Sequence, residues 1–300
     1  LELERAAGLA QSWQCPSYDS IQGLLRNPNV QLIDVTLPTP LHCDAVVQAA
    51  EGGKHVICEK PIALTLADAD RMIKAARQNK VELMVAHVIR FWQEWALLAE
   101  KVKTRDFGRV MAISCLRLSE EPKWGWKGWL LDGKKSGGAI IDLHIHDTDF
   151  ICHLLGRPKA VTSMGDPNHI LTIYDYGRSL VASAEGGWFH LKGYPFVMAY
   201  ECYLEKATFK YSSDRTPTLT IFQPENEPYS PEFLSIAKDS GVSTGNIAEL
   251  GGYYEELKYF IECIDAGKKP DRIRPQDARQ SLEICLAEFK SLRTWRKVPL

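Results

Sequence analysis

The sequence predicts an α/β domain built on a doubly wound parallel sheet, followed by an α+β domain with an open-faced, mostly antiparallel sheet and helices on one face. Two observations lead there. Up to residue 89, short apolar runs alternate with stretches of helical spacing, the pattern of parallel strands joined by crossover helices. From residue 160, strand-like runs follow one another without intervening helices until two helices close the chain. The expected division is residues 1–89 and 90–300.

In order, Leu1 to Gln14 has helical spacing, with Leu3, Ala6, Ala7 and Ala10 on one face, and Cys15-Pro16-Ser17 ends it. Ser20 to Arg26 is a second short helix stopped by Asn27-Pro28. Val30 to Leu37 is a strand broken by Pro38-Thr39-Pro40, and Leu41 to Ala50 is a helix ended by Gly52-Gly53. Gly53 to Pro61 then reads as a buried strand, apolar in its middle and closed by Glu59, Lys60 and a proline. The helix from Thr65 to Asn79 has Thr65 as its cap and Leu66, Ala69, Met72, Ile73 and Ala76 on its inner face. Val81 to His87 is the next strand.

Beyond Phe91 the character changes. Trp95 to Lys103 is a helix, Arg109 to Leu118 alternates as a strand, and a Trp-rich loop leads through Gly137-Gly138 into a helix that closes at Leu155-Gly156. Strands are expected at 160–164, 171–176, 179–184, 197–204, 207–211 and 219–222, and Pro224 to Pro231 reads as a loop. Helices over Tyr253 to Ala266 and Pro275 to Trp295 finish the second domain.

Composition narrows the class of partner. The 300 residues are 45% hydrophobic and 25% charged, ordinary for globular protein and long enough for two domains. With 36 basic against 38 acidic residues, a net charge of −2 gives no electrostatic case for nucleic acid or an anionic membrane, so a small-molecule partner is expected. Eight cysteines, at 15, 43, 58, 115, 152, 202, 263 and 285, form no CxxC pair. Scattered thiols inside apolar runs suit a reducing compartment, and with no secretory leader or membrane-length apolar run read here, a cytoplasmic location is expected.

A dinucleotide site on such a sheet needs a glycine-rich turn after the first strand and an acidic residue closing the second. No GxGxxG occurs in the sequence. The expectation is that roughly 30 or more residues of a βαβ unit precede Leu1, since a sheet without its central strand would leave apolar edges bare.

Four stretches, in order, carry a resemblance: Pro38-Thr39-Pro40-Leu41-His42, Gly53-Lys54-His55-Val56-Ile57-Cys58-Glu59-Lys60-Pro61, Arg90-Phe91, and Gly137-Gly138 followed by Asp142-Leu143-His144-Ile145-His146-Asp147. Together they resemble the glucose-fructose oxidoreductase / inositol dehydrogenase / rhizopine-catabolism (Gfo/Idh/MocA) family. The resemblance implies a Rossmann-type domain followed by an open-faced sheet domain that serves in oligomer contacts, hence a homodimer or homotetramer. It implies NAD or NADP as cofactor and a secondary hydroxyl of a sugar, cyclitol or related polyol as the reacting group. Lys60, Asp142 and His146 take the catalytic positions. Leu37, Pro38, Thr39, His42, Glu59 and Lys60 fall at the cofactor, and Arg90, Trp129 and His144 join the catalytic set at the substrate. A cis peptide bond before Pro61 is also implied. Two departures stand out: Leu37-Pro38-Thr39 where many members have Thr-Pro-Asn, and Leu143-His144 where Leu-Gly is common, which would send His144 into the pocket.

The residues suit that chemistry in their own right. Removing hydride from an alcohol carbon requires a base for the hydroxyl proton, and His146 is the natural one. Asp142, four residues earlier, lies on the same face if the segment is helical. Lys60 places positive charge beside an alkoxide-like oxygen, although Glu59-Lys60 also reads as a solvated ion pair. His144-x-His146 lacks the three or four converging ligands of a metal site, so none is expected. Trp124, Trp126 and Trp129 either stack on a sugar face or cover their loop. A sensor that binds dinucleotide and sugar without turnover, and a glycosidase using bound NAD, are the alternatives within the same resemblance.

Overall fold

The computed structural model describes residues 3–177, 179–233 and 251–300. Helices α1 (Leu3–Ser12) and α2 (Ile21–Leu25) lead into β1 (Leu32–Val35), α3 (His42–Glu51), β2 (His55–Glu59), α4 (Leu66–Gln78) and β3 (Leu83–Ala86). The three strands pair in parallel in the order β1-β2-β3, with Ile33 opposite Val56 and Cys58 opposite Val85. Val56, Ile57 and Cys58 are all buried, because helices cover both faces of the sheet. The Thr65 hydroxyl accepts from the Asp68 amide at 3.1 Å and starts α4, satisfying one otherwise unpaired helix N–H.

The second half contains α5 (Gln93–Thr104), β4 (Val110–Glu120), α6 (Gly133–Ser136), a π-type turn (Ile140–His144) and α7 (Ile145–Leu155). Strands β5 (Ala160–Asp166), β6 (His169–Asp175), β7 (Val181–His190), β8 (Val197–Leu204), β9 (Ala207–Ser212), β10 (Leu219–Gln223) and β11 (Asn226–Tyr229) follow, then α8 (Gly251–Asp265), α9 (Pro275–Thr294) and β12 (Val298–Pro299). They form one nine-stranded sheet in the order β11-β10-β9-β8-β4-β7-β6-β5-β12, antiparallel except for the parallel pair β4-β7.

Two details differ from the sequence expectation. The patch read as a loop at 224–231 contains β11, an exposed edge strand whose polar composition carries no apolar alternation. Strand β7 runs on to His190 instead of stopping at Ala184, because Gly186 and Gly187 break the sequence pattern but not the backbone. Their missing side chains are what the packing requires. A Cβ on Gly186 would lie 2.9 Å from Nδ1 of His144, and one on Gly187 would lie 2.9 Å from Cδ2 of His169.

The closing helices do more than finish the second domain. Phe260 of α8 packs on Ile57, Met84 and Ala86 of the first sheet. Ala278, Leu282 and Cys285 of α9 belong to the first core, whereas Ile284 of the same helix belongs to the second. At the centre of the second core, Trp95 meets Phe150, Tyr200 and Tyr211 in edge-to-face contacts with centroids 4.7, 4.8 and 5.6 Å apart. Each such ring pair adds about 0.5–1.5 kcal/mol beyond area burial.

Candidate active site

In a parallel sheet the strand carboxyl ends face the cleft where ligands bind. Lys60 stands one residue past β2 at that edge, followed by a cis bond to Pro61. Its ammonium donates to the backbone carbonyl of Asp142 at 2.7 Å and to Oδ1 of Asp142 at 3.1 Å. The contact joins residues 82 apart in sequence, one from each half of the chain.

The element carrying Asp142 is set by the glycines before it. Gly137 and Gly138 have φ of 76° and 67°. A Cβ on Gly138 would sit 2.6 Å from the Pro167 carbonyl oxygen, so only glycine fits this close approach. The backbone then makes the wider π-type turn before tightening into α7. Asp142 is therefore not on a regular α-helix with His146, as the four-residue spacing suggested.

His146 lies beside His87, the rings edge-on at 85° with centroids 6.4 Å apart. Its Nδ1 has no partner among the described residues. Burial first, then the charges of Lys60 and Arg117, push its pKa well below the usual histidine value. The imidazole is thus neutral near pH 7, with its buried Nδ1 unpartnered. Glu59 is pushed the opposite way, up to about 7, by burial, with the Lys60 charge opposing the rise.

Two carbonyls flank the ring of His42, Leu37 O at 2.7 Å from Nε2 and Pro61 O at 3.0 Å from Nδ1. Burial lowers its pKa, and the two carbonyls work against that. The ring ties together the segments that follow β1 and β2. In the segment after β1, Thr39 is buried, with a hydroxyl oxygen that has no partner among the described residues. An unpartnered buried hydroxyl at this edge has a free donor and acceptor. With Pro38, Glu59 and Lys60, it fits the nicotinamide end of a dinucleotide. No glycine-rich turn follows β1, β2 or β3, so the described residues supply no cradle for the diphosphate.

Two residues expected at the substrate lie elsewhere. Arg90 is buried, with its guanidinium engaged. Nε and Nη2 donate to the two oxygens of Asp149 at 2.8 and 2.7 Å, and Nη1 donates to the Arg272 carbonyl at 2.8 Å. It is a clamp inside the protein, not an arm in the cleft. His144 is also fully buried, its Nε2 3.2 Å from the Tyr174 hydroxyl and 3.5 Å from Oε2 of Glu288. It faces the second sheet while His146 stands against His87, so the two rings of the His-x-His pair diverge. Trp129 is half-buried in the loop Trp126–Leu131, which turns through left-handed Lys127 and Gly128.

Sequence reasoning missed four residues of this region. Asp147 takes a two-pronged contact from buried Arg117 at 2.8 and 3.0 Å, directly behind His146. Asp149 and His87 form the second buried group. The signal was present: two more acids inside an apolar helix need buried partners.

Two family models match the chain. "Oxidoreductase family, NAD-binding Rossmann fold" covers residues 2–87, and "GFO/IDH/MocA C-terminal domain" covers residues 95–209. The chain belongs to the Gfo/Idh/MocA oxidoreductase family. Among curated relatives of the family, it is 32% identical to the 2,7-anhydro-N-acetylneuraminate hydratase of Escherichia coli (strain K12), over 54% of this chain and 44% of that protein. The match therefore spans less than half of the hydratase. Against the myo-inositol 2-dehydrogenase of Thermotoga maritima it is 24% identical over 100% of this chain and 87% of that protein. A levoglucosan dehydrogenase solved with NADH and levoglucosan shares the fold, with a TM-score of 0.83 at 20% identity over 99% of this chain and 88% of that one.

Proposed function

We propose that this chain is an NAD- or NADP-dependent oxidoreductase acting on a secondary hydroxyl or ketone of a sugar, cyclitol or related polyol. The observation that carries the reading is the constellation of Lys60, held on Asp142 at the carboxyl edge of a parallel sheet, with the His146 imidazole, four residues on, kept neutral by burial and by the Lys60 charge. When bound, the nicotinamide supplies the hydride acceptor or donor. Everything else falls to the side chains. Lys60 puts a fixed cation beside the substrate oxygen and favours its alkoxide-like form. His146 takes the hydroxyl proton on oxidation and returns it on reduction. Asp142 fixes the ammonium, and Thr39 with Pro38 and His42 shapes the edge on which the nicotinamide rests.

The experiment is a screen of myo-inositol, levoglucosan and glucose with NAD and NADP, following nicotinamide absorbance, alongside His146→Ala. The substitution is expected to cut the hydride step by roughly 100-fold or more while NADH fluorescence titration stays nearly unchanged. Undiminished turnover would remove His146 from its role. A second reading follows from the hydratase relative: a net addition or loss of water with no net NADH. Product formation without an absorbance change would favour it.

The outward face of the second sheet supports a homodimer or homotetramer. Met164, Leu171, Ile173, Val181 and Tyr203 are exposed on that one face, apolar side chains that a second copy of the sheet would cover. A cytoplasmic location accords with eight free cysteines, of which only Cys15 is exposed. Among the described residues no helix is long and apolar enough to cross a membrane.

A further inference from the structure

Behind His146 stands a histidine to which the reaction above gives no part. His87 follows β3 and opens the short helical turn Val88–Phe91, and its side chain is fully buried. Neither ring nitrogen has a hydrogen-bond partner among the described residues. A neutral imidazole carries one N–H donor and one acceptor in either tautomer, and leaving both unpaired in the interior is unfavourable, so the ring needs an explanation other than packing alone.

Two groups face the ring. On one side its Nδ1 is 3.7 Å from Oδ2 of Asp149, a carboxylate already fixed by Arg90 and by the Ser281 hydroxyl at 3.0 Å. On the other side is the edge-on ring of His146, whose own Nδ1 is equally unpartnered. The further charges acting on the two rings are Arg90 from the same turn, Lys60 after β2, Arg117 of β4 and Asp277 of α9. Burial first, and then the nearby cations, keep both rings neutral until a proton arrives from the substrate.

We infer that His87 is a positioning residue: its ring, edge-on to His146 and backed by Asp149, holds the His146 imidazole in place and is coupled to its charge. The inference rests on the role proposed for His146. On oxidation the substrate C–H bond breaks with its electron pair going to the nicotinamide, the O–H bond breaks with its proton going to His146, and the carbonyl π bond forms. The imidazolium so formed on His146 stands edge-on to the His87 ring, with the Asp149 carboxylate 3.7 Å behind that ring, and the two hold it in place while the hydride moves. Reduction runs the same transfers backwards.

The test combines ring-proton NMR of the chain without cofactor and single-turnover hydride transfer, on the wild type, His87→Leu and His87→Gln. Because His87 makes no hydrogen bond, leucine removes none. In both variants the titration of His146 is expected to shift, since coupled sites titrate as a pair. The hydride step should slow by about 10-fold and recover with added free imidazole. A native amide spectrum with an unmoved His146 titration and an unmoved hydride step overturns the inference. If neither variant folds, the wild type decides: ring signals of His87 and His146 that each titrate with one independent midpoint overturn it, and shared two-step curves support it. Slow turnover in His146→Ala with unaffected His87→Leu defeats this inference alone. Normal turnover in His146→Ala defeats the reaction reading together with it.

Discussion

The Lys60 ammonium donates to two oxygens of Asp142, the backbone carbonyl at 2.7 Å and the carboxylate Oδ1 at 3.1 Å. The contact is a hinge pin between the two halves of the chain as well as a charge in the cleft. Lys60→Met is therefore expected to slow the hydride step by roughly 100-fold or more, since the cation beside the reacting oxygen is lost. Asp142→Asn keeps the carbonyl contact and should cost only about 10-fold. Stopped-flow absorbance at the nicotinamide band reads both, and equal losses in the two variants would show that the carboxylate, not the ammonium, carries the effect.

Arg90 is expected to matter for stability first. Removing one partner of a buried ion pair leaves Asp149 uncompensated, so Arg90→Met should lower the unfolding free energy by about 3–5 kcal/mol. Arg90→Lys should restore only part of it, because an ammonium cannot make the paired contacts that the guanidinium makes with Asp149. Urea denaturation measures the difference. A Michaelis constant that rises while stability is kept would instead return Arg90 to the substrate.

Acid should weaken the fold in a defined window. Burial lowers the pKa of His87 to about 4, against an ordinary value of 6.5. As pH falls from 6.5 towards 4, the unfolded chain binds this proton and the folded one does not, so stability is lost across that interval and the loss levels off below it. For one fully buried ring the loss is roughly 3 kcal/mol at 1.36 kcal/mol per pKa unit. Melting temperature against pH should show the decline in the wild type and a shallower one in His87→Leu. Parallel curves would remove His87 as the source.

The exposed strip on the second sheet makes a prediction about assembly. Ile173, at the centre of β6 and pointing outward, is 54% exposed. Ile173→Lys is expected to shift the protein to monomer in sedimentation velocity with its far-UV spectrum unchanged. A wild type that already sediments as a monomer at tens of micromolar would end the oligomer reading.

Much of this was legible in the sequence because its signals are local. The run Val56-Ile57-Cys58 before a charge and a proline marks β2 and places Lys60, and Gly137-Gly138 marks the start of the segment that carries Asp142 and His146. What could not be read is where long side chains go once two sheets and a helix meet. Arg90 and His144 look like cleft residues by position, yet Asp149 and Glu288 draw them inward, across 59 and 144 residues of chain. The expected end of β7 at Ala184 failed for a related reason: Gly186 is a poor strand residue that is present because His144 occupies its space. Such facts belong to pairs of distant residues, and no periodicity reports them.

Helix α9 has a consequence for how the molecule comes into being. Its Ala278, Leu282, Cys285 and Leu292 complete a core whose other buried members lie before residue 171. A ribosome has therefore threaded out nearly the whole second half before the first sheet can close its apolar surface, and until then that surface is open to chaperones and to other nascent chains. The order of synthesis translates the strands of the parallel sheet well ahead of the helix that seals them.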